Sequence, residues 1–85
     1  SKTINDINFL QEQIEYSELI ESLNDNFDSK IIENSLSSIK SLLKTTVDSI
    51  KSSLESNDFE NVWQNLSKLR FYIKNINELV KLRNK

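Results

Sequence analysis

Glycine, proline, cysteine, methionine and histidine are all absent from the 85 residues, and each absence excludes a class of site. Without cysteine there is no disulfide framework and no thiolate metal site, and without histidine only carboxylates remain as metal ligands. Nucleophilic triads built on histidine or cysteine cannot be assembled. Without glycine the common phosphate-binding loops cannot form. We therefore expect no enzymatic activity, no cofactor and no metal site.

Charge and hydropathy exclude two further classes of partner. The 11 basic and 13 acidic residues are dispersed along the chain and leave a net charge of −2, whereas a nucleic-acid surface needs a basic patch. No apolar run approaches the roughly 20 residues that span a bilayer, and no signal-peptide pattern opens the chain. We expect neither a nucleic acid nor a membrane as partner.

The spacing of apolar residues predicts amphipathic helices over residues 3–23, 29–54 and 58–82. The segments "NDNFDS" (24–29) and "ESND" (55–58) separate them, and Asn57 with Glu60 predicts a capping box for the last helix. Connections this short favour antiparallel neighbours. The expected structure is an all-α, antiparallel up-down-up three-helix bundle, with residues 1–85 forming a single domain.

Each predicted helix carries one apolar stripe that we assign to the core. Trp63 and Tyr72 lie outside the stripe of the third helix, and we expect them at the core margin. In the second helix the stripe repeats at steps of three and four, typical of a seam that packs between two partners. The stripe of the first helix is Phe9, Tyr16, Leu19, Ile20 and Leu23; that of the second is Ile32, Leu36, Ile39, Leu43, Val47, Ile50 and Leu54; that of the third is Phe59, Val62, Leu66, Leu69, Ile73, Ile76 and Val80.

Two helices carry more apolar residues than one core can cover. Ile7, Leu10 and Ile14 form a second stripe on the first helix, and Phe71 lies nearly opposite the predicted core stripe of the third. Isolated surface hydrophobes are common, and each residue taken singly fits that reading. If the two helices lie side by side, however, Leu10, Ile14 and Phe71 join into one apolar patch rimmed by charge. Such patches mark partner sites.

Two segments resemble two helices of one known family, and they occur in the same order and at the same separation as in that family. "FLQEQIEYSELIE" (9–21) resembles the opening helix of the C-terminal domain of HscB, the J-type co-chaperone of iron–sulfur cluster assembly. "DFENVWQNLSKLRFYIKNINEL" (58–79) resembles the last helix of that domain, which carries a Lys-Leu-Arg-Phe motif. The sequence departs from the family pattern at Gln11, Ser17 and Tyr72.

The resemblance implies a three-helix bundle that holds the scaffold protein IscU and delivers it to a dedicated DnaK-like ATPase chaperone. The positions that contact IscU in the family fall on Leu10, Ile14 and Phe71, which are three of the surplus apolar residues. The positions that flank them fall on Glu15, Glu18 and Arg70.

The resemblance also implies what this chain lacks. HscB-type proteins stimulate the chaperone ATPase through a His-Pro-Asp loop in an N-terminal J domain, and this chain contains neither histidine nor proline. We therefore expect no J domain within residues 1–85. A bacterial cytoplasm is the expected compartment, with the mitochondrial matrix as the alternative.

Two other functional readings remain open. The chain could be a structural helical module that self-associates through the same surplus apolar stripe. A carboxylate-based hydrolase would need paired carboxylates in a cleft, and a slender bundle offers few clefts.

Overall fold

The structure, a computed structural model, describes residues 4–85 and contains three helices within them: α1 (Ile7–Asp25), α2 (Ser29–Glu55) and α3 (Phe59–Arg83). The predicted all-α three-helix bundle is confirmed. The start of α2 agrees with the prediction, whereas α1 begins later than predicted, because residues 4–6 are not helical. The predicted start at Thr3 lies outside the described residues. No helix among residues 4–85 is long and apolar enough to cross a membrane.

An aspartate caps the N-terminus of every helix. Asp6 accepts the backbone N–H of Phe9 at 3.0 Å, and Asp28 accepts that of Lys30 at 3.0 Å. Asp58 accepts the N–H of Asn61 at 3.1 Å. A carboxylate here satisfies an otherwise unpaired donor and opposes the positive end of the helix dipole. The predicted capping box on Asn57 is therefore wrong, because Asp58 is the cap.

Asn57 instead ends the preceding helix in the left-handed region, with φ of 57°. Its N–H donates to the carbonyl of Leu54 at 3.2 Å, and that of Asp58 donates to the carbonyl of Ser53 at 2.8 Å. This pair of bonds is the Schellman motif, whose left-handed residue is usually glycine. In a chain without glycine, asparagine is the residue that tolerates this conformation best.

Hydrogen bonds between helices establish their directions. Along α1 and α3, Asp6 meets Lys68 and Gln13 meets Asn75, both at a separation of 62 residues. The two helices are therefore parallel. Along α3 and α2 the pairs run in opposite order, so those helices are antiparallel, and the up-down-up topology follows. The α3–α2 pairs are Asn61 with Ser53, Asn65 with Ser49 and Arg83 with Glu33.

The central helix is α3, not α2. α3 packs against both other helices, and within residues 4–85 no Cα of α1 comes within 8 Å of a Cα of α2. α2 thus lies closest to α3, while its buried residues share one core cluster with those of both α1 and α3. The resulting bundle is slender, with extents of 45 × 23 × 17 Å.

All three helices contribute to the core. The α1 stripe is confirmed: Phe9 and Leu23 are buried, and Tyr16 is partly buried against the core. The α2 stripe is confirmed in its first half, although Leu54 at its end is exposed. The buried apolar residues of the described chain are Phe9, Leu23, Ile32, Leu36, Ile39, Tyr72, Leu79 and Leu82.

The predicted core stripe of α3 is confirmed only in part, since Ile76 and Val80 are partly buried and pack against the core. Phe59, Leu66 and Ile73 are exposed, whereas Tyr72, expected at the margin, is buried. The cause is a set of polar residues that take core-facing positions because each has a partner on another helix or segment. Asn65 donates to Ser49 at 3.0 Å, Asn75 donates to Gln13 at 2.8 Å, and Gln64 accepts the N–H of Asn5 at 3.2 Å.

The turn at Asn57 yields a test of the backbone account. Asn57→Gly should raise the free energy of unfolding by about 0.5 kcal/mol, and Asn57→Val should lower it by about 1 kcal/mol or more, because only glycine enters the left-handed region without cost. Urea denaturation measures both changes. Asn26, with φ of −130°, is the control: Asn26→Gly should destabilise, since it only adds freedom to the unfolded chain. A destabilising Asn57→Gly would contradict the account.

Candidate functional site

Three apolar side chains of α1 and α3 remain exposed, and we name Leu10, Ile14 and Phe71 the α1–α3 outer face. They are 40%, 61% and 37% exposed, respectively. Leu10 and Ile14 lie one turn apart on α1, so their side chains follow each other along one side of the helix. Because α3 runs parallel to α1 with a shift of 62 residues, Phe71 lies level with Phe9 and adjacent in height to Leu10.

A chain of aromatic contacts holds Phe71 in place. Its ring meets the ring of Phe9 edge-on at 5.7 Å, and Phe9 meets the ring of Tyr72 edge-on at 5.5 Å. The Lys68 ammonium lies 5.6 Å from the centre of the Phe9 ring. Edge-to-face pairs are worth about 0.5–1.5 kcal/mol beyond their buried area. One edge of Phe71 is therefore fixed by the core while the rest of the ring faces solvent.

The position of Phe71 corrects the sequence-based placement. Phe71 was expected nearly opposite the core stripe of α3, but the buried stripe runs through Tyr72 and Leu79, about 100° and 80° away around the helix. Phe71 thus lies beside the seam between α1 and α3 and not on the far side of α3. That location brings it to the same side of the bundle as Leu10.

An ion pair fixes the start of this face. Lys68 Nζ lies 2.7 Å from Asp6 Oδ2, while the other carboxylate oxygen of Asp6 caps α1 at Phe9. The hydrogen bond from Lys68 and that from the Phe9 N–H hold the pKa of Asp6 below its ordinary value. The same carboxylate therefore sets where α1 begins and where it lies along α3.

The charged residues predicted around the site take up different positions. Arg70 lines a shallow cleft together with Ser67, Phe71 and Lys74, so Arg70 borders the outer face directly. Lys74 was not among the predicted site residues, although it lies one turn after Phe71 on the same helix. Glu18 is exposed one turn after Ile14.

Glu15 lies on another side of α1. It lines a separate cleft with Glu12, Tyr16 and Leu19, and its five-residue separation from Leu10 turns it by about 140° around the helix. The structure therefore places Arg70 beside Phe71 in one cleft, and it places Glu15 in a different one. The five-residue spacing between Leu10 and Glu15 is enough to predict from the sequence that they lie on different sides of α1.

Glu12 in that second cleft is incompletely satisfied. Its Oε1 is buried and has no hydrogen-bond partner among the described residues, and burial raises its pKa, with Asp6 and Glu15 adding to the shift. Burial also raises the pKa of the nearby Tyr72 hydroxyl to about 12.

The Asp6–Lys68 pair yields a pH-dependent prediction. Because the pKa of Asp6 is lower in the folded chain, its contribution to stability is present above the ordinary pKa and lost as the pH falls through the folded one. Asp6→Asn should therefore lower the free energy of unfolding at about pH 7, and the difference from the parent chain should shrink towards about pH 3. Urea titrations across this range measure it.

Asp48→Asn, at an exposed position on α2, is the control for the Asp6 variant and should change stability little. An Asp6→Asn difference that stays constant from neutral to acidic pH would show that the carboxylate charge plays no part.

Comparisons with known proteins indicate which family this chain is similar to. A family model described as the HSCB C-terminal oligomerisation domain matches residues 5–81. No curated protein and no solved structure gives a significant match. The matched range includes all of α1 and α2 and most of α3.

Proposed function

This chain belongs to the family of HscB C-terminal domains, and we propose that it holds an IscU-type scaffold protein during iron–sulfur cluster assembly. Leu10, Ile14 and Phe71 bind the scaffold, and Glu15, Glu18 and Arg70 flank the contact. The bound scaffold is then presented to a DnaK-like ATPase chaperone. The iron–sulfur cluster belongs to the scaffold in this scheme, and the chain itself contributes a binding surface.

The exposure of Leu10, Ile14 and Phe71 on two neighbouring helices is the observation that carries the proposal. Water contact with three large apolar side chains costs free energy that a partner surface would recover. Phe71 supports this role further because its packing on Phe9 leaves it little freedom to lose on binding. A rigid aromatic anchor beside two aliphatic ones is a common composition for the centre of an interface.

The three charged residues around the apolar positions lie at different places and therefore have different roles. Arg70 borders Phe71 in the same cleft, so it is placed for a direct ion pair with an acidic residue of the scaffold. Glu18 continues the α1 side of the face. Glu15 lies around the helix and contributes mainly to the long-range field that guides association. Rim charges of this kind affect association rate more than net affinity.

A co-chaperone must release its cargo, which favours a modest interface. An interface of about 1,000 Å² and a dissociation constant in the micromolar range suit this requirement. Stimulation of the chaperone ATPase needs a His-Pro-Asp loop, and this chain has neither histidine nor proline. In the proposal that step therefore belongs to a J domain acting together with this chain.

Serine substitutions at the three apolar positions test the proposal. Leu10→Ser, Ile14→Ser and Phe71→Ser should each weaken scaffold binding by about 1–4 kcal/mol, because each removes a desolvated anchor. Titration calorimetry with an IscU-type scaffold measures the change. Leu10→Ser and Ile14→Ser should leave stability nearly unchanged, whereas Phe71→Ser should lower it by about 1 kcal/mol through loss of the contact with Phe9.

Phe27 supplies a matched control for Phe71. It is also an exposed phenylalanine, but it lies in the connection between α1 and α2. Phe27→Ser should leave scaffold binding unchanged. Equal losses from Phe27→Ser and Phe71→Ser, or unaltered binding by all three outer-face variants while circular dichroism confirms folding, would contradict the proposal.

Self-association is the second candidate function, and the family description as an oligomerisation domain favours it. Self-association through the α1–α3 outer face would give a dimer that Phe71→Ser abolishes. Sedimentation equilibrium over a range of concentrations, without the scaffold, separates this reading from scaffold binding.

A further inference from the structure

Two basic side chains lie beside Phe71 on the outer flank of α3. Arg70 and Lys74 line an open cleft of about 310 Å³ together with Ser67 and Phe71, and we name these four residues the basic cleft. Ser67, Arg70 and Lys74 lie roughly 40–100° beyond Phe71 around the helix, on the side away from α1. Because the ring of Phe71 also meets that of Phe9 edge-on, Phe71 forms the wall between α1 and the basic cleft.

The two cations of the basic cleft are neighbours without a counter-ion. Arg70 and Lys74 are both exposed and lie four residues apart, which is about one turn of the helix. Like charges at this spacing destabilise a helix. Neither side chain forms an ion pair or a hydrogen bond with any of residues 4–85. The free chain therefore keeps two adjacent positive charges that an external anion would stabilise.

The acidic residues of α2 lie on the opposite side of α3 from the basic cleft. α2 contacts α3 through Asn61 and Asn65, which lie roughly 140–180° from Arg70 and Lys74 around the helix. The carboxylates of α2 and its cap are therefore separated from the basic cleft by α3 itself. They belong to Asp28, Glu33, Asp48 and Glu55.

The acidic residues of α3 also leave the basic cleft unpaired. Glu78 lies one turn after Lys74, but it lines a different cleft together with Lys81. Asp58 and Glu60 lie at the start of α3, at least seven residues before the basic cleft begins. No carboxylate among residues 4–85 lines the basic cleft.

The acidic residues of α1 are paired, turned to another side or further along the helix. Asp6 pairs with Lys68 at 2.7 Å. Lys74 lies level with Glu12, but Glu12 and Glu15 line a separate cleft. The remaining carboxylates of α1 lie at least six residues beyond that level, and they belong to Glu18, Glu21 and Asp25.

We propose that the basic cleft binds an acidic side chain of the partner, whose carboxylate lies between Arg70 and Lys74. An apolar side chain next to it in the partner packs on Phe71. This rests on the proposed function, because the partner is the IscU-type scaffold. Lys74 becomes a binding residue that determines specificity together with Arg70, and Ser67 adds a hydroxyl donor at the same place.

The chemistry of the basic cleft selects a carboxylate of a protein rather than a polyanion. A nucleic acid needs an extended basic surface, whereas here two cations stand beside a helix whose charged residues are all acidic. The guanidinium of Arg70 can bind both oxygens of one carboxylate, and Lys74 adds a point charge. Because α1 is acidic, the acidic residue of the scaffold is placed over α3, which fixes the orientation of the scaffold on the helix pair.

Lys74→Gln tests the inference, since it removes the charge and keeps a side chain of similar helix propensity. Binding of an IscU-type scaffold should weaken about fivefold at about 0.05 M salt, and the loss should shrink at about 0.5 M salt, where charges are screened. Titration calorimetry measures both. The urea midpoint of the free variant should stay the same or rise, because a repulsion between neighbouring cations is removed.

Lys44→Gln is the matched control. Lys44 is an exposed lysine of α2 that also lies four residues from another cation, Lys40. Its variant should bind the scaffold within about twofold of the parent chain. Equal weakening by Lys44→Gln and Lys74→Gln would show that net charge alone matters and would overturn the inference.

Scaffold variants identify the carboxylate from the other side of the interface. Each aspartate of the scaffold is replaced by asparagine and each glutamate by glutamine, one at a time. At least one variant should lose about fivefold in affinity for the parent chain but much less for the Lys74→Gln chain, because the two charges interact only when both are present. Equal losses with both chains for every scaffold variant, or no loss for any, would overturn the inference.

Leu10→Ser separates a failure of this inference from a failure of the proposed function. Scaffold binding that Leu10→Ser weakens and Lys74→Gln leaves unchanged would overturn the inference and leave the proposed function in place. A parent chain that does not bind the scaffold at all would overturn both.

An anionic lipid surface is the competing occupant of two cations beside an exposed ring. Flotation with vesicles of phosphatidylserine and phosphatidylcholine tests it with the same two lysine variants. Vesicle binding that Lys74→Gln abolishes and Lys44→Gln preserves, with scaffold affinity unaltered by either, would replace the scaffold carboxylate by a membrane and overturn the inference.

Discussion

The alignment of α1 along α3 is the constraint on which the candidate site depends. Asp6 caps α1 and pairs with Lys68 at 2.7 Å. Seven residues further along both helices, Gln13 accepts a hydrogen bond from Asn75 at 2.8 Å. Between these two contacts, Phe9 packs edge-on against Phe71 and Tyr72. A shift of α1 by one residue would break all of these contacts and rotate Leu10 away from Phe71. The outer face is therefore a product of polar pairing as much as of apolar packing.

This arrangement gives the bundle two uncovered apolar sides. On one side, Leu10 and Ile14 belong to α1, whose charged residues are all acidic, and Phe71 belongs to α3, whose charged residues are mainly basic. The α1–α3 outer face therefore has acidic residues along one helix and basic residues along the other. On the other side, Leu66 and Ile73 of α3 are exposed as well. Because α3 is central and α1 and α2 lie around it without close backbone contact, each pair of helices presents its own surface. A slender bundle with small core volume leaves more apolar side chains for partners than a thicker one would.

Apolar periodicity was sufficient to predict α1 and the beginning of α2, because their buried positions are taken by apolar residues such as Phe9, Leu23 and Ile32. It failed on part of α3, where Asn65 and Asn75 occupy buried positions through hydrogen bonds to Ser49 and Gln13. The partner of a side chain on a distant helix cannot be read from local spacing, so the predicted stripe included Leu66 and Ile73, which are exposed. The exposure of Leu10 and Ile14 followed from α1 alone. The contact of Phe71 with Phe9 needed the register between helices, and only the structure supplies it.

In the proposed function, Leu10, Ile14 and Phe71 act together as one surface for an IscU-type scaffold. An NMR titration of the isotope-labelled chain with unlabelled scaffold tests this most directly, since it reports every backbone amide at once. The account predicts shift changes concentrated on the outward side of α1 around Leu10 and Ile14 and on α3 around Arg70 and Phe71, with α2 nearly unperturbed. Shift changes confined to α2, or none at saturating scaffold, would contradict it.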